Sequence, residues 1–324
     1  MQPIRRIGYL AILLGFAQVV FGAIVRITGS GMGCGDHWPD CFGAFTPTSN
    51  SSTSTLLIEI SHRYGAAALS ITIVVLAVVA WSKRKEVGVG GAGGVLRPTL
   101  LALLLVIVAA LFGAITVKLS LDPFVVVTHL AIAMALLAVL VVVTVRAGGF
   151  GARSVPARYQ RTVRSGRAAA VLTFLALVFG ALTANTPDAA ISCQGFPLCR
   201  EVGATGAPLA IQITHRAIAL LLLGHLIGLV IGVSRRGETR AVKTAAWSAL
   251  SMVVLRIVVA AAMVELHLPP ALRSLHQAVG TALWLAVVTL TALATGAAET
   301  TDIERIVYES PSRGEFATPE GVST

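Results

Sequence analysis

Four of the histidines in the apolar stretches of this chain lie near the start of their stretch: His62, His129, His215 and His276. Each follows the start of its stretch by about five to eight residues, which at 1.5 Å per residue puts all four roughly 8–12 Å along a helix. An ionisable side chain in a membrane-spanning segment is costly and marks a functional site by default. Two imidazoles alone are a poor zinc site, because zinc takes three or four protein ligands. Two imidazoles on opposite faces of a planar macrocycle are a common way to hold heme iron. Two such pairs are expected, His62 with His129 and His215 with His276. His225 and His267 read as packing residues, and His37 lies in a polar loop with its role open.

The residues around these histidines differ between the two pairs. Glu59 precedes His62 by one helical turn and therefore lies beside it. Gln212 takes the same place before His215 and cannot ionise. A carboxyl group in a low-dielectric site can serve as acid or base. The first pair therefore reads as the reactive site, with Glu59 as the candidate catalytic residue, and the second as a holding site for a cofactor. Arg26, Arg63 and Arg216 are candidates to pair with heme propionates. The alternative is that they snorkel to lipid headgroups. Phe21-Gly22-Ala23, Phe112-Gly113-Ala114 and Phe179-Gly180-Ala181 supply small residues that let a flat ring, or merely a neighbouring helix, come close.

Lipid must be the solvent of the elements that position these groups. Hydrophobic residues make up 56% of the 324 and charged residues 12%, against about 25% charged in soluble domains; mean hydropathy is +0.83. Eight apolar stretches approach the ~20 residues needed to cross a bilayer. They run over 8–28, 56–81, 98–118, 124–146, 167–185, 207–234, 244–265 and 271–297. Arg5 and Arg6 before the first stretch could suggest a signal peptide, but that stretch has a counterpart in the second half. The net charge of +10 is read through its distribution, as an orientation signal and not as a nucleic-acid surface. Basic residues cluster at the N-terminus and between stretches 2 and 3, 4 and 5, and 6 and 7, which places both termini in the cytoplasm. The cysteine loops then face outward, where disulfides persist, and the close pairs Cys34 with Cys41 and Cys193 with Cys199 suit two local bridges.

The two halves repeat one another. Val20-Phe21-Gly22-Ala23 matches Val178-Phe179-Gly180-Ala181, the cysteine pairs match, Glu59-Ile60-Ser61-His62-Arg63 matches Gln212-Ile213-Thr214-His215-Arg216, and His129 matches His276. The fold expected is an all-α integral membrane protein of eight transmembrane helices in two pseudo-symmetric four-helix bundles. Each half has an even number of spans, so the relating axis should run along the membrane normal. Residues 1–146 form the N-terminal half with the substrate site, and 147–166 a cytoplasmic linker. Residues 167–297 form the C-terminal half with the cofactor site, and 298–324 a disordered cytoplasmic tail.

Val25 through Cys34, Trp38-Pro39 with Cys41, the Glu59–Arg63 segment, Ile213–Arg216 and Leu275-His276-Gln277 together resemble the heme A synthase family over nearly the whole chain outside the tail. The first loop departs from the family's Cys-Pro-Asp-Trp-Pro and reads Cys34-Gly35-Asp36-His37-Trp38-Pro39. The resemblance implies an enzyme that oxidises the C8 methyl of heme O to a formyl group by two hydroxylations, for cytochrome oxidase. It implies heme b between His215 and His276, and the substrate heme near His62 and His129 with Glu59 close by. It further implies the cell membrane as location, contact with the heme O synthase and an unidentified electron-transfer partner; a homo-oligomer is compatible with it. Two other readings are weighed. A diheme b-type cytochrome linked to quinone would need both histidine pairs but no one-sided glutamate. A parallel-repeat transporter would show helices broken at mid-membrane.

Overall fold

The computed structural model describes residues 1–41, 54–91, 93–152 and 160–308, with side chains described as far as residue 295. Eight helices carry the chain: α1 (Gln2–Ile27), α2 (Ser54–Ser82), α3 (Leu96–Lys118), α4 (Pro123–Arg146), α5 (Gln160–Asn185), α6 (Ala207–Arg235), α7 (Arg240–Glu265) and α8 (Pro270–Tyr308). All eight are long and apolar enough to cross a membrane, as a chain that satisfies its backbone polar groups within each segment requires. Helix starts follow local chemistry. Asp122 accepts from the Phe124 and Val125 N–H groups ahead of Pro123, and Thr239 accepts from Val242 N–H.

Two closed rings of four helices result. Helix α1 packs on α2, α2 on α3, α3 on α4 and α4 on α1, and the same circuit joins α5, α6, α7 and α8. The rings meet where α8 packs against α1 and α4, and α4 against α5. Trp284 Nε1 donates to the Met134 carbonyl across this seam at 2.8 Å. Helix α8 is accordingly the most enclosed, with 61% of its apolar window buried against 22–33% for the others. Helix α1 contributes the fully buried Ile4 and Ala11 to the core, so it is a structural member of its ring.

The links that set the histidine registers are the same in both rings. Between α3 and α4 the backbone passes through Ser120 (φ 50°) and Leu121 (φ 63°), and between α7 and α8 through His267 (φ 59°) and Leu268 (φ 63°). These are left-handed conformations that cost a non-glycine residue roughly 1–2 kcal/mol each. Leu121 N–H returns to the Thr116 carbonyl and Leu268 N–H to the Met263 carbonyl. His129 and His276 thus enter their rings in the second turn after an identical bend.

Two boundaries differ from expectation. Helix α5 begins at Gln160, within the stretch expected to be linker, whose residues 153–159 lie outside the described set. Helix α8 overruns 297 and continues to Tyr308; no proline interrupts the chain before Pro311, and nothing else in Ala298–Tyr308 stops a helix. Residues 309–324 of the expected tail lie outside the described residues.

Candidate functional site

His215 on α6 and His276 on α8 project from helices that stand opposite each other in their ring. Their ring centroids are 6.4 Å apart with planes at 75°. Metal–imidazole bonds are about 2 Å, so two imidazoles flanking one metal have ring centres about 6 Å apart. The Nδ1 atoms of both rings are buried without a well-formed hydrogen bond among the described residues, although the backbone of Ala176 lies near the His215 ring and that of Arg256 near the His276 ring. A Cβ at Gly180 would stand 2.9 Å from His215 Cε1, so glycine at that position leaves room for the ring. The separation and the glycine cradle fit a metal held between the two imidazoles.

His62 on α2 and His129 on α4 occupy the corresponding places in the first ring, within electrostatic reach of each other. Gly22 faces His62, where a Cβ would lie 3.1 Å from Cε1, and Gly113 faces His129 at 3.5 Å. The three Phe-Gly-Ala segments therefore each set a glycine against a site histidine. Phe21 meets the His62 ring edge-on at 6.0 Å. His129 Nδ1 is also buried without a partner among the described residues. His62 is the exception: Gln18 Nε2 donates to its Nδ1 at 2.9 Å and to its carbonyl at 2.7 Å.

Above each pair a disulfide loop, Cys34–Cys41 or Cys193–Cys199, is tied to the histidine-bearing helix. Cys34 N–H donates to Glu59 Oε2 at 2.8 Å, and Cys193 N–H to Gln212 Oε1 at 2.6 Å. Glu59 Oε1 pairs with Arg63 at 2.5 Å, and Arg63 also donates to the carbonyls of His37, Pro39 and Asp40. Arg216 donates to the carbonyls of Cys193, Gly195 and Pro197. Arg26 donates to the Ala184 carbonyl, joining the ends of α1 and α5. The three arginines expected near propionates thus each engage backbone carbonyls, and Glu59 bridges loop and helix. His225 is the packing residue it was expected to be, with Nε2 at 2.8 Å from the Ser165 carbonyl.

Two polar residues escaped the sequence reading. Gln18 reaches His62, and Arg256, on α7 and 7% exposed, donates from Nε to His276 Nε2 at 3.4 Å. Both were visible as lone polar residues in apolar spans, but only the packing across helices joins them to the histidines. Among the described residues no group of three or more His, Cys, Asp or Glu side chains is placed to hold a metal ion. The donor chemistry is therefore that of paired imidazoles.

The family model COX15-CtaA, described as cytochrome oxidase assembly protein, matches residues 5–288. The chain belongs to the COX15-CtaA family. Among its curated relatives in that family is a protein named heme A synthase from Alkalihalophilus pseudofirmus, 31% identical over 250 residues that cover 76% of this chain and 79% of the relative. One of the same name from Halalkalibacterium halodurans is 31% identical over 222 residues, covering 66% and 71%. A third, from Bacillus mycoides, is 27% identical over 285 residues, covering 85% and 86%. The COX15-CtaA match takes in both rings and all four site histidines.

The loop anchors of this COX15-CtaA chain generate a prediction. Gln212→Leu strands the Cys193 N–H in the interior, a loss of about 1–3 kcal/mol, whereas Gln212→Glu keeps the acceptor. Thermal unfolding in detergent should give a lower midpoint for Gln212→Leu than for Gln212→Glu; equal midpoints would show that the anchor contributes nothing.

Proposed function

We propose that the chain is a heme A synthase, an oxidoreductase that converts the C8 methyl group of heme O to a formyl group. The observation that carries this reading is a pair of opposed imidazoles in each four-helix ring, with different companions in each. The N-terminal pair, His62 and His129, takes the substrate heme. The C-terminal pair, His215 and His276, would hold heme b, which would supply reversible one-electron chemistry there. Family membership and the names of the relatives support the same reading.

The residues around the substrate do the positioning and the proton handling. His62 and His129 hold the substrate heme between α2 and α4. With water as the oxygen donor, each hydroxylation replaces a C–H bond of the methyl group by C–OH and releases two protons and two electrons, the electrons passing to the electron-transfer partner; the resulting geminal diol loses water to leave the formyl group. Both hydroxylations release protons. Glu59, one turn from His62 and held by Arg63, is the group we assign to accept them, an effect worth about 10²–10⁴-fold in general base catalysis. The disulfide loop pinned by Glu59 and Arg63 covers the site and limits water.

We place the protein in the cell membrane with both termini in the cytoplasm and the disulfide loops outside, because the basic residues gather at the opposite end of the helices. A contact with the heme O synthase would deliver the substrate, and an electron-transfer partner would reoxidise the site. A diheme electron carrier would not need a carboxylate at one pair only, and Glu59 stands at the first pair where the second has Gln212. The helices also run unbroken past the histidines, unlike the interrupted helices of transporters.

Two measurements test this. His215→Ala and His276→Ala should each abolish the low-spin spectrum of stably bound heme b in purified protein, and unchanged spectra in both would sink the assignment. Glu59→Gln should keep that spectrum, because Gln212 shows an amide accepting the equivalent loop N–H. Heme A extracted from cells should nonetheless fall by at least about tenfold, with heme O or a hydroxylated intermediate accumulating. Normal heme A in Glu59→Gln would make the carboxylate structural only.

A further inference from the structure

Three charged side chains are buried among the described residues: Glu59, Glu238 and Arg256. Glu59 is paired with Arg63 and Glu238 with Arg236. Arg256 belongs to none of the ion pairs among the described residues. Its Nε lies 3.4 Å from His276 Nε2, and its Cζ packs over Gly280, where a Cβ would stand only 2.9 Å away. A cation buried without a carboxylate is costly in a membrane interior, and the glycine makes the space it occupies.

The first ring shows that the fold does not need this charge. The His129 ring interacts with the backbone of Ala109, and the His276 ring with the backbone of Arg256. The same spacing of 147 positions relates His129 to His276, Ala109 to Arg256 and Ala133 to Gly280. Where the N-terminal ring has two alanines, the C-terminal ring has an arginine and the glycine that admits it. The positive field acts on both imidazoles of the C-terminal pair, because His215 also lies within coulombic reach of Arg256, and of Arg216 beyond it.

A fixed positive charge near a metal ligand disfavours the metal's more positive oxidation state, and the low dielectric of a helix bundle strengthens the effect. We propose that Arg256 sets the reduction potential of the group bound between His215 and His276, holding it toward the reduced form. The proposal rests on the heme assignment above. Addition of one electron takes a ferric iron in a dianionic macrocycle from net positive to neutral, so the cation beside it favours that step. Arg256 acts through its field, not by touching the substrate; the lone pair of His276 that meets Arg256 Nε in this structure is the one an iron would take, so the charge and not the hydrogen bond carries the effect.

The test uses full-length protein purified in detergent with its bound heme, and redox titration followed in the visible spectrum. Arg256→Gln should retain the heme and titrate at a lower midpoint potential than the unaltered protein. Arg256→Lys, which keeps the charge, should stay close to the unaltered value. An unchanged midpoint in Arg256→Gln, an equal fall in Arg256→Lys, or loss of the heme from Arg256→Gln would each overturn the proposal. His276→Ala run in parallel separates the two levels: full retention of heme there would overturn the C-terminal site itself, and the proposal with it.

Discussion

A polar atom inside a helix bundle in lipid has no water to fall back on, and the imidazole nitrogens of this chain bring that constraint into its centre. His129, His215 and His276 each bury an Nδ1 atom with no partner among the described residues. In a soluble protein an ordered water could complete them. Here the surroundings are helix faces, glycines and an aromatic edge, and the heme reading proposed above gives that space an occupant. The opposed helices, the glycines facing the rings and the disulfide loops tied down above them are what such a space requires of the fold.

Much of this was legible in the sequence. The eight spans and the local cysteine pairs follow from hydropathy and spacing. The role of the arginines was not legible. Arg63 and Arg216 looked like partners for propionates because they adjoin a histidine, yet their guanidinium groups are spread over loop carbonyls. Those carbonyls belong to short irregular loops whose backbone leaves acceptors unpaired, and sequence does not say which way such a loop folds back. Gln18 and Arg256 were missed for a related reason: each meets its histidine from a different helix, and the phase between helices is a property of packing. The extension of α8 was hidden by composition, since its polar residues suit a solvated helix as well as a coil.

The two rings share their construction and differ in a few side chains that face the histidines. Gln18, Glu59 and Ala109 mark the first; Gln212 and Arg256 mark the second. The loop anchor shows the economy of the difference, for Glu59 and Gln212 accept the same N–H from the first cysteine of their loops, and only the glutamate adds a charge, matched by Arg63. The second ring keeps Arg216 where the first has Arg63, but without a carboxylate beside it, and has Arg256 where the first has Ala109.

Oxidation of a methyl group of heme O by this chain, as proposed above, can be measured directly. Membranes containing the protein, from cells lacking any other source of the activity, can be supplied with heme O and the extracted hemes analysed by mass spectrometry. The account predicts a hydroxylated intermediate followed by the formyl product, heme A. Heme O recovered unchanged, from protein that carries its bound heme b, would contradict it.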